Sequence, residues 1–438
     1  MYHNNTKQTF IGGTSTKKLS AVVVGFGGRG AIYASYAMDH PDELEIVGVA
    51  DPNPIRRETA QKRHNISEER LYATWEDLAS QPKMADFAIV GTQDNMHYAP
   101  ALALIEKGYH LLLEKPMAPT LEECKGITEA AEKKGVKVVV CHVLRFTPFW
   151  RAVKNVILSG KLGKIVSVIG TENVGHIHQS HSFVRGDWRN TAESTCMIMA
   201  KCCHDMDIYQ WLLDKKCVKV QSFGSLSHFR KENQPAGAPD RCVKGCPVAD
   251  TCHYNATKLY LDDKENLWFR RTAAQTIDMP TDEQVLEAIT TGPYGRCVYC
   301  CDNDVVDHQV VNLEYEDGCT MSFTMNAFNE GGRSVHLYGT EGEMFSSPDQ
   351  KKLHLFSFET QQWEEIDIAR VGNDITSGHG GGDTGIMIDT LSLLQGEKPS
   401  YSICEVRTSY KNHITGFAAE ESRLTGQVVT IAEYEKNL

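Results

Sequence analysis

Leu19-Ser20-Ala21-Val22-Val23-Val24-Gly25-Phe26-Gly27-Gly28-Arg29-Gly30 is an apolar run that ends in spaced glycines. Ala31 to Met38 follows with helix-favouring residues, and Leu44 to Ala50 reads as a second strand that ends in Asp51. The order is strand, glycine turn, helix, strand, acid, and each part has a physical use. Gly25 permits a tight turn, Gly27 lets a pyrophosphate approach the backbone, and Gly30 lets the helix pack close to the strand. Phe26, Gly28 and Arg29 complete the loop, and the helix start offers free N–H groups to phosphate. Asp51, about 20 residues past the last glycine, can accept from ribose hydroxyls. The stretch predicts a dinucleotide site on a parallel α/β unit. Asp51 favours NAD, because a carboxylate repels a 2′-phosphate; Arg56 and Arg57 keep NADP open.

Working outward, short apolar runs at 19–24, 44–50, 87–91, 109–113 and 136–141 alternate with helical stretches at 29–39, 54–63, 97–107 and 121–134. That alternation means βαβ units and a mostly parallel sheet. Ligands bind such sheets at the carboxyl ends of the strands, so Gly25, Asp51, Thr92 and Glu114 should converge on one crevice. Past Phe146 the character changes. Helices are predicted over 147–159 and 197–213 and, as the final helix, near 384–395, which closes the second part together with the segment 405–426. Strands are predicted at 164–170, 309–315, 320–326, 334–338 and 352–358, alternating apolar and polar residues as in a sheet with one solvated face. Residues 225–300 are polar and cysteine-bearing and read as an insertion.

The 438 residues suggest about two domains. With 41% hydrophobic and 23% charged residues the chain has enough apolar mass for a large core. A net charge of −12 argues against nucleic-acid and anionic-membrane partners, which need a basic face. No stretch approaches the ~18 apolar residues of a membrane span. Residues 1–17 are polar, lack the apolar centre of a signal peptide and read as a flexible arm, so a cytoplasmic chain is expected.

Thr92-Gln93-Asp94-Asn95-Met96-His97 follows the fourth strand and Glu114-Lys115-Pro116 the fifth. Together with the glycine turn and a later His204-Asp205-Met206-Asp207, these residues resemble the Gfo/Idh/MocA oxidoreductases, which include glucose–fructose oxidoreductase and inositol dehydrogenase. The resemblance runs from about 18 to 430, with the insertion outside the common core. It implies an α/β fold in two parts. A Rossmann dinucleotide-binding domain spans 18–145. An α+β domain with a large, mostly antiparallel open sheet spans 146–438, binds substrate and is often an oligomer interface. It also implies NAD or NADP in the crevice, with Thr92, Asp94, His97 and Glu114 around it and Lys115 beside the nicotinamide and the substrate hydroxyl.

Removing a hydride from a carbinol carbon leaves a proton on oxygen that a side chain must hold or accept. A lysine has a pKa of ~10.4 in water, and burial near a cationic ring would lower it toward neutrality. His204 matches the family's histidine and has the right range for a general base. Where inositol-dehydrogenase-like members carry an aspartate, four residues earlier, this chain has Ala200. Lys201, three before His204 and on the same helix face, is the candidate to replace it. A polyol pocket would suit His142, Arg145, Arg185, Trp188 and Arg189, because a ring stacks on C–H faces and arginines fork to hydroxyls. His379 and Asp383, in a glycine-rich loop, resemble a segment that family members place near substrate. His176, His178 and His181 read as a polar loop lining that pocket.

Cys242, Cys246 and Cys252 lie close together in the insertion, and Cys297, Cys300 or Cys301 could supply a fourth ligand. Structural zinc held by Cys242, Cys246, Cys252 and Cys297 is one reading there, with iron–sulfur or reduced, unligated thiols as the alternatives. The function expected is hydride transfer between the nicotinamide and a hydroxyl-bearing carbon of a sugar, glycoside or inositol-like polyol. One alternative is an NAD-dependent glycosidase that works by transient oxidation and elimination, marked by released sugar without net NADH. A second is a non-catalytic dinucleotide sensor, against which the intact Glu114-Lys115-Pro116 and His204 argue.

Overall fold

The computed structural model describes residues 17–368 and 381–437. All but the last residue of the expected arm, and His379, lie outside them. The first sheet comprises β1 (Leu19–Val24), β2 (Leu44–Ala50), β3 (Leu71–Tyr72), β4 (Phe87–Val90), β5 (His110–Leu113) and β6 (Val138–Val140). Every pair is parallel, in the order β3-β2-β1-β4-β5-β6. The crossovers carry α1 (Gly28–Asp39), α2 (Pro54–His64), α3 (Trp75–Ser80), α4 (Tyr98–Glu106) and α5 (Leu121–Lys134). β1 reads as one apolar run because both its faces are covered: Ala21 and Val23 enter one core, Val22 and Val24 the other. Strand order reverses between β1 and β4, which opens a crevice at their carboxyl ends.

The second part begins with α6 (Pro148–Leu158), β7 (Ile165–Asn173) and the short α7 (His176–His178). α8 (Met197–Ala200), α9 (Cys203–Leu213) and β8 (Cys217–Ser225) follow, then α10 (Leu267–Ala274) and α11 (Asp282–Thr291). β9 (His308–Tyr315), β10 (Thr320–Asn326), β11 (Gly332–Gly339), β12 (Gly342–Ser346), β13 (Lys352–Ser357) and β14 (Gln362–Asp367) continue the sheet. The chain ends with α12 (Gly382–Leu394), α13 (Val406–Thr425), β15 (Val429–Thr430) and α14 (Ile431–Lys436). The nine strands run β14-β13-β12-β11-β7-β10-β9-β8-β15, antiparallel except for β7 beside β10. One face packs on Trp150, Met206, Tyr209 and Ala418; the other is open.

Three features differ from the sequence expectation. The helix expected over 197–213 breaks at Lys201-Cys202, where the Cys202 carbonyl accepts from the N–H groups of both Asp205 and Met206 and starts α9. The two C-terminal helices serve both sheets: Ile386, Met387 and Leu391 of α12 join Phe26 and Tyr33, while α13 runs from Tyr410 on the first sheet to Ala419 on the second. The insertion has its own small core of Tyr260, Phe269, Val285, Ile289 and Tyr294, and it touches α2, where Arg63 pairs with Asp278 at 2.6 Å. Among the described residues no helix is long and apolar enough to cross a membrane.

Candidate active site

At the crevice the glycine turn fits a dinucleotide phosphate. Gly25 has φ +85°, and a Cβ there would lie 2.7 Å from the Gly91 carbonyl oxygen. A Cβ on Gly30 would lie 2.0 Å from the Gly25 oxygen, so α1 can sit this close to β1 only with glycine. Gly27 precedes α1 with no side chain to occupy the helix N–H groups, the first turn carries no acid, and no atom would meet a Cβ on Gly28 within 4 Å. An anion is therefore welcome there. The Phe26 ring is buried, and its N–H donates to Asp51 Oδ2 at 2.8 Å while the Asn53 N–H donates to Oδ1 at 2.8 Å. Arg57 is spent on the carbonyls of Asp51 and Pro52 at 2.6 and 3.1 Å. Arg56 faces the Asp51 carboxylate at 3.8 Å.

Across from the turn, three elements fix Lys115. The buried His97 bridges the Pro116 carbonyl at 2.7 Å and the Thr92 carbonyl at 3.1 Å, and Thr92 Oγ1 donates to the Met96 carbonyl. The Met117 N–H donates to His413 Nε2 at 3.0 Å. His413 must then carry its proton on Nδ1, which donates to the Ser409 carbonyl at 2.8 Å. Glu114 accepts from Arg29 Nε at 2.8 Å, the Tyr33 hydroxyl at 2.6 Å and the Lys115 N–H at 2.8 Å. Burial alone would raise this carboxyl, but Arg29 and Lys115 outweigh it and hold it at about 2. Lys115 is half-buried, and its Nζ donates to the Ala200 carbonyl at 3.2 Å. Burial pulls its pKa down; Cys203, Glu114 and Asp94 together push it above the ordinary lysine value. The Cys203 thiol is itself raised by burial to about 12. The lowering expected from sequence is not what this chain alone produces.

His204 lies buried in the first turn of α9, its ring edge-on to His142 with centroids 6.1 Å apart. Lys201, on the turn between α8 and α9, pairs with Glu172 at 3.4 Å. Glu172 also pairs with Arg333, which reaches Asp205 at 2.8 Å. Burial and Glu172 raise Asp205 to about 6 against the pull of Arg333.

The residues expected in a polyol pocket separate. Arg145 is buried and grips Asp207 through two bonds of 2.7 and 2.6 Å, so its charge is spent inside. His142 meets Ser409 Oγ at 2.8 Å, and burial lowers it to about 4. His142, Asp207 and Cys404 form the one cluster with metal-ligand spacing among the described residues, but Arg145 already neutralises that carboxylate. Arg185 points into the insertion, donating to the carbonyls of Arg296 and Tyr254. Trp188 Nε1 donates to Asp94 Oδ1 at 3.2 Å, and the Ser194 hydroxyl donates to its other oxygen at 2.7 Å, which ties this segment to the crevice. Arg189 pairs with Glu193 and Asp302. Asp383 accepts from Arg29 at 2.6 Å, on the cofactor side. His176 and His181 face different partners, Asn329 and Tyr260. The sequence reading overlooked Tyr33 and His413; the signals were their spacings, Arg29 to Tyr33 and Ser409 to His413, each one helical turn.

A Rossmann sheet with its phosphate turn intact, joined to a mixed nine-stranded sheet that brings a lysine and a histidine toward the crevice, defines an NAD(P)-dependent oxidoreductase. The description "Oxidoreductase family, NAD-binding Rossmann fold" matches residues 19–142, and "Oxidoreductase family, C-terminal alpha/beta domain" matches 154–431. The chain belongs to the Gfo/Idh/MocA oxidoreductase family. It is 25% identical over 376 residues to the oxidoreductase YteT of Bacillus subtilis, covering 80% of this chain and 82% of that one. It is 28% identical over 205 residues to the inositol 2-dehydrogenase of Salmonella typhimurium, covering 46% of this chain and 57% of that one. A levoglucosan dehydrogenase solved with NADH and L-sorbose shares the fold at TM-score 0.68 and 18% identity, over 95% of this chain and 99% of that one.

Proposed function

We propose that this enzyme moves a hydride between NAD and a hydroxyl-bearing carbon of a sugar, glycoside or inositol-like polyol. The observation that supports this most is the junction of Lys115 with the α8–α9 turn. The ammonium end of β5 meets the Ala200 carbonyl, four residues before His204. A bound nicotinamide supplies the hydride acceptor; the chain has to hold the carbinol oxygen and take its proton. With Glu114 and Asp94 keeping Lys115 charged, the lysine is a donor to that oxygen and favours its alkoxide character. The proton then goes to His204, in the first turn of α9. Lys201, paired with Glu172, is a hydroxyl-positioning group. Asp51 at the ribose position supports NAD over NADP, with Arg56 turned onto that carboxylate. None of the fourteen cysteines is joined in a disulfide, which suits a reducing, cytoplasmic setting.

A screen of sugars, glycosides and inositols by NAD reduction tests the proposal. Once a substrate is found, Lys115→Ala lowers kcat by about 10²–10⁴ with NAD affinity retained. His204→Gln flattens the acid limb of the kcat/KM profile. Unchanged turnover in Lys115→Ala would sink the assignment, and released sugar with no net NADH would point to the glycosidase route.

A further inference from the structure

Two loops of the insertion are drawn together by an antiparallel bridge between Arg241 and Arg296, which makes Cys242 and Cys297 diagonal neighbours across it. The Cys297 N–H donates to the Asp240 carbonyl at 2.8 Å, and a turn with Gly245 in the left-handed region returns the chain at Cys246. Between the loops lies a cavity of about 20 Å³ onto which Cys242, Cys246, Cys252 and Cys297 all face. Its remaining walls are largely apolar, among them Pro235, Pro239 and Val248. Cys300 and Cys301 are not on it; they contact Lys231 and the Cys297 carbonyl.

Arg185 is the second observation. Its side chain is fully buried, yet its electrostatic neighbours are Tyr260, Cys242, Cys301 and Cys297, with no carboxylate among them. Nε and Nη2 reach the carbonyls of Arg296 and Tyr254, and Nη2 also approaches Cys242 Sγ at 3.7 Å. Nη1 has no partner. A guanidinium cannot shed its proton, and burying it without counter-charge is costly. Neutral thiols do not supply one; metal-bound thiolates do.

We propose that Cys242, Cys246, Cys252 and Cys297 bind one structural zinc ion and that Arg185 is its counter-charge. Four thiolates on a divalent ion leave two negative charges, which answers the buried guanidinium. Soft sulfur donors select zinc or iron–sulfur, and four thiolates facing one small cavity are the ligand set of a tetrahedral structural zinc. No three of these sulfurs lie within 4.8 Å of one another here, so binding draws the two loops inward. The insertion rests on α2 beside Asp51 through Asp278 and Gln275, so the ion stiffens a wall of the cofactor crevice without touching it.

Metal analysis of the full chain, purified without chelator, tests this. One zinc per chain is expected. Cys242→Ser and Cys252→Ser lose it, while Cys300→Ser and Cys301→Ser keep it. Arg185→Gln weakens zinc by about 10–100-fold in competition with a chromophoric chelator. Should the serine variants not fold, cobalt exchanged into the wild-type chain gives the thiolate charge-transfer bands of a tetrahedral sulfur site. Absence of metal, iron with labile sulfide, zinc retained in Cys252→Ser, or an unchanged affinity in Arg185→Gln would each overturn the proposal.

Discussion

Glu114 shows how much one side chain carries at this crevice. It takes hydrogen bonds from Arg29, Tyr33 and the Lys115 backbone, and it helps to keep Lys115 charged. Glu114→Gln puts an amide N–H where an acceptor is needed. It should cost about 1–3 kcal/mol in denaturant unfolding at pH 7 and lower the Lys115 pKa. The sign with pH is definite. In the unfolded chain this carboxyl titrates near 4.3, and in the fold at about 2. Its contribution is complete above the unfolded value and is lost as pH falls through about 2. The gap between wild type and Glu114→Gln should therefore narrow in acid, and a gap that stays constant would refute the account. The motif Glu114-Lys115-Pro116 was legible in the sequence because its position follows from the strand before it. Arg145 was misread because a loop arginine looks alike whether it meets a ligand or a buried acid. Asp207, which claims it, is distant in sequence.

Elements were legible where local chemistry and packing agree. α5 matches its expected span because the Thr120 side chain caps its start, Lys133 and Lys134 close its last turn, and Gly135 takes the left-handed conformation after it. β14 carries mostly exposed residues, so it has no alternation to read, and the α8–α9 break lies inside a continuous buried stretch. The glycine turn makes the sharpest element-scale prediction. Gly30→Ala meets backbone, not a mobile side chain, so α1 must move off β1. NAD binding by calorimetry should be lost and thermal stability reduced; retained affinity would show that α1 is not seated as described. A second prediction concerns the π-helical segment Gln179–Arg185. His181 stacks between Phe269 and Tyr294, at 4.3 and 4.8 Å, and burial lowers it to about 3. It is neutral in the fold and charged in the unfolded chain below its ordinary 6.5. Stability is full above that pH and falls by about 1.4 kcal/mol per unit toward about 3. His181→Phe keeps the stack and should remove about one proton from the acid slope of unfolding free energy.

At the scale of the molecule, the nine-stranded sheet is covered on one face and open on the other. Strand register carries an apolar and aromatic band across that open face: Ile169 lies opposite His336, His336 opposite Phe345, and Phe345 opposite His354. Phe223 and Val310 form a further pair. Ile169, Phe223, Val310 and Phe345 are all exposed, and apolar residues gathered on a flat sheet mark an interaction surface. The alternation in sequence reads as a solvated outer face, and the band departs from it because Ile169, Phe223, Val310 and Phe345 are apolar yet exposed. The same face of a second copy would bury this band, because a twofold axis pairs like with like. A stable pair needs about 800 Å² from each chain, which a broad sheet can provide. Light scattering after gel filtration should show an assembly larger than the monomer. Val310→Asp combined with Phe345→Asp would bury unpaired carboxylates in such an interface from both copies, and the mass should fall toward the monomer while NAD affinity, set at the other sheet, holds. A wild-type monomer, or an assembly indifferent to both aspartates, would place the subunit contact elsewhere.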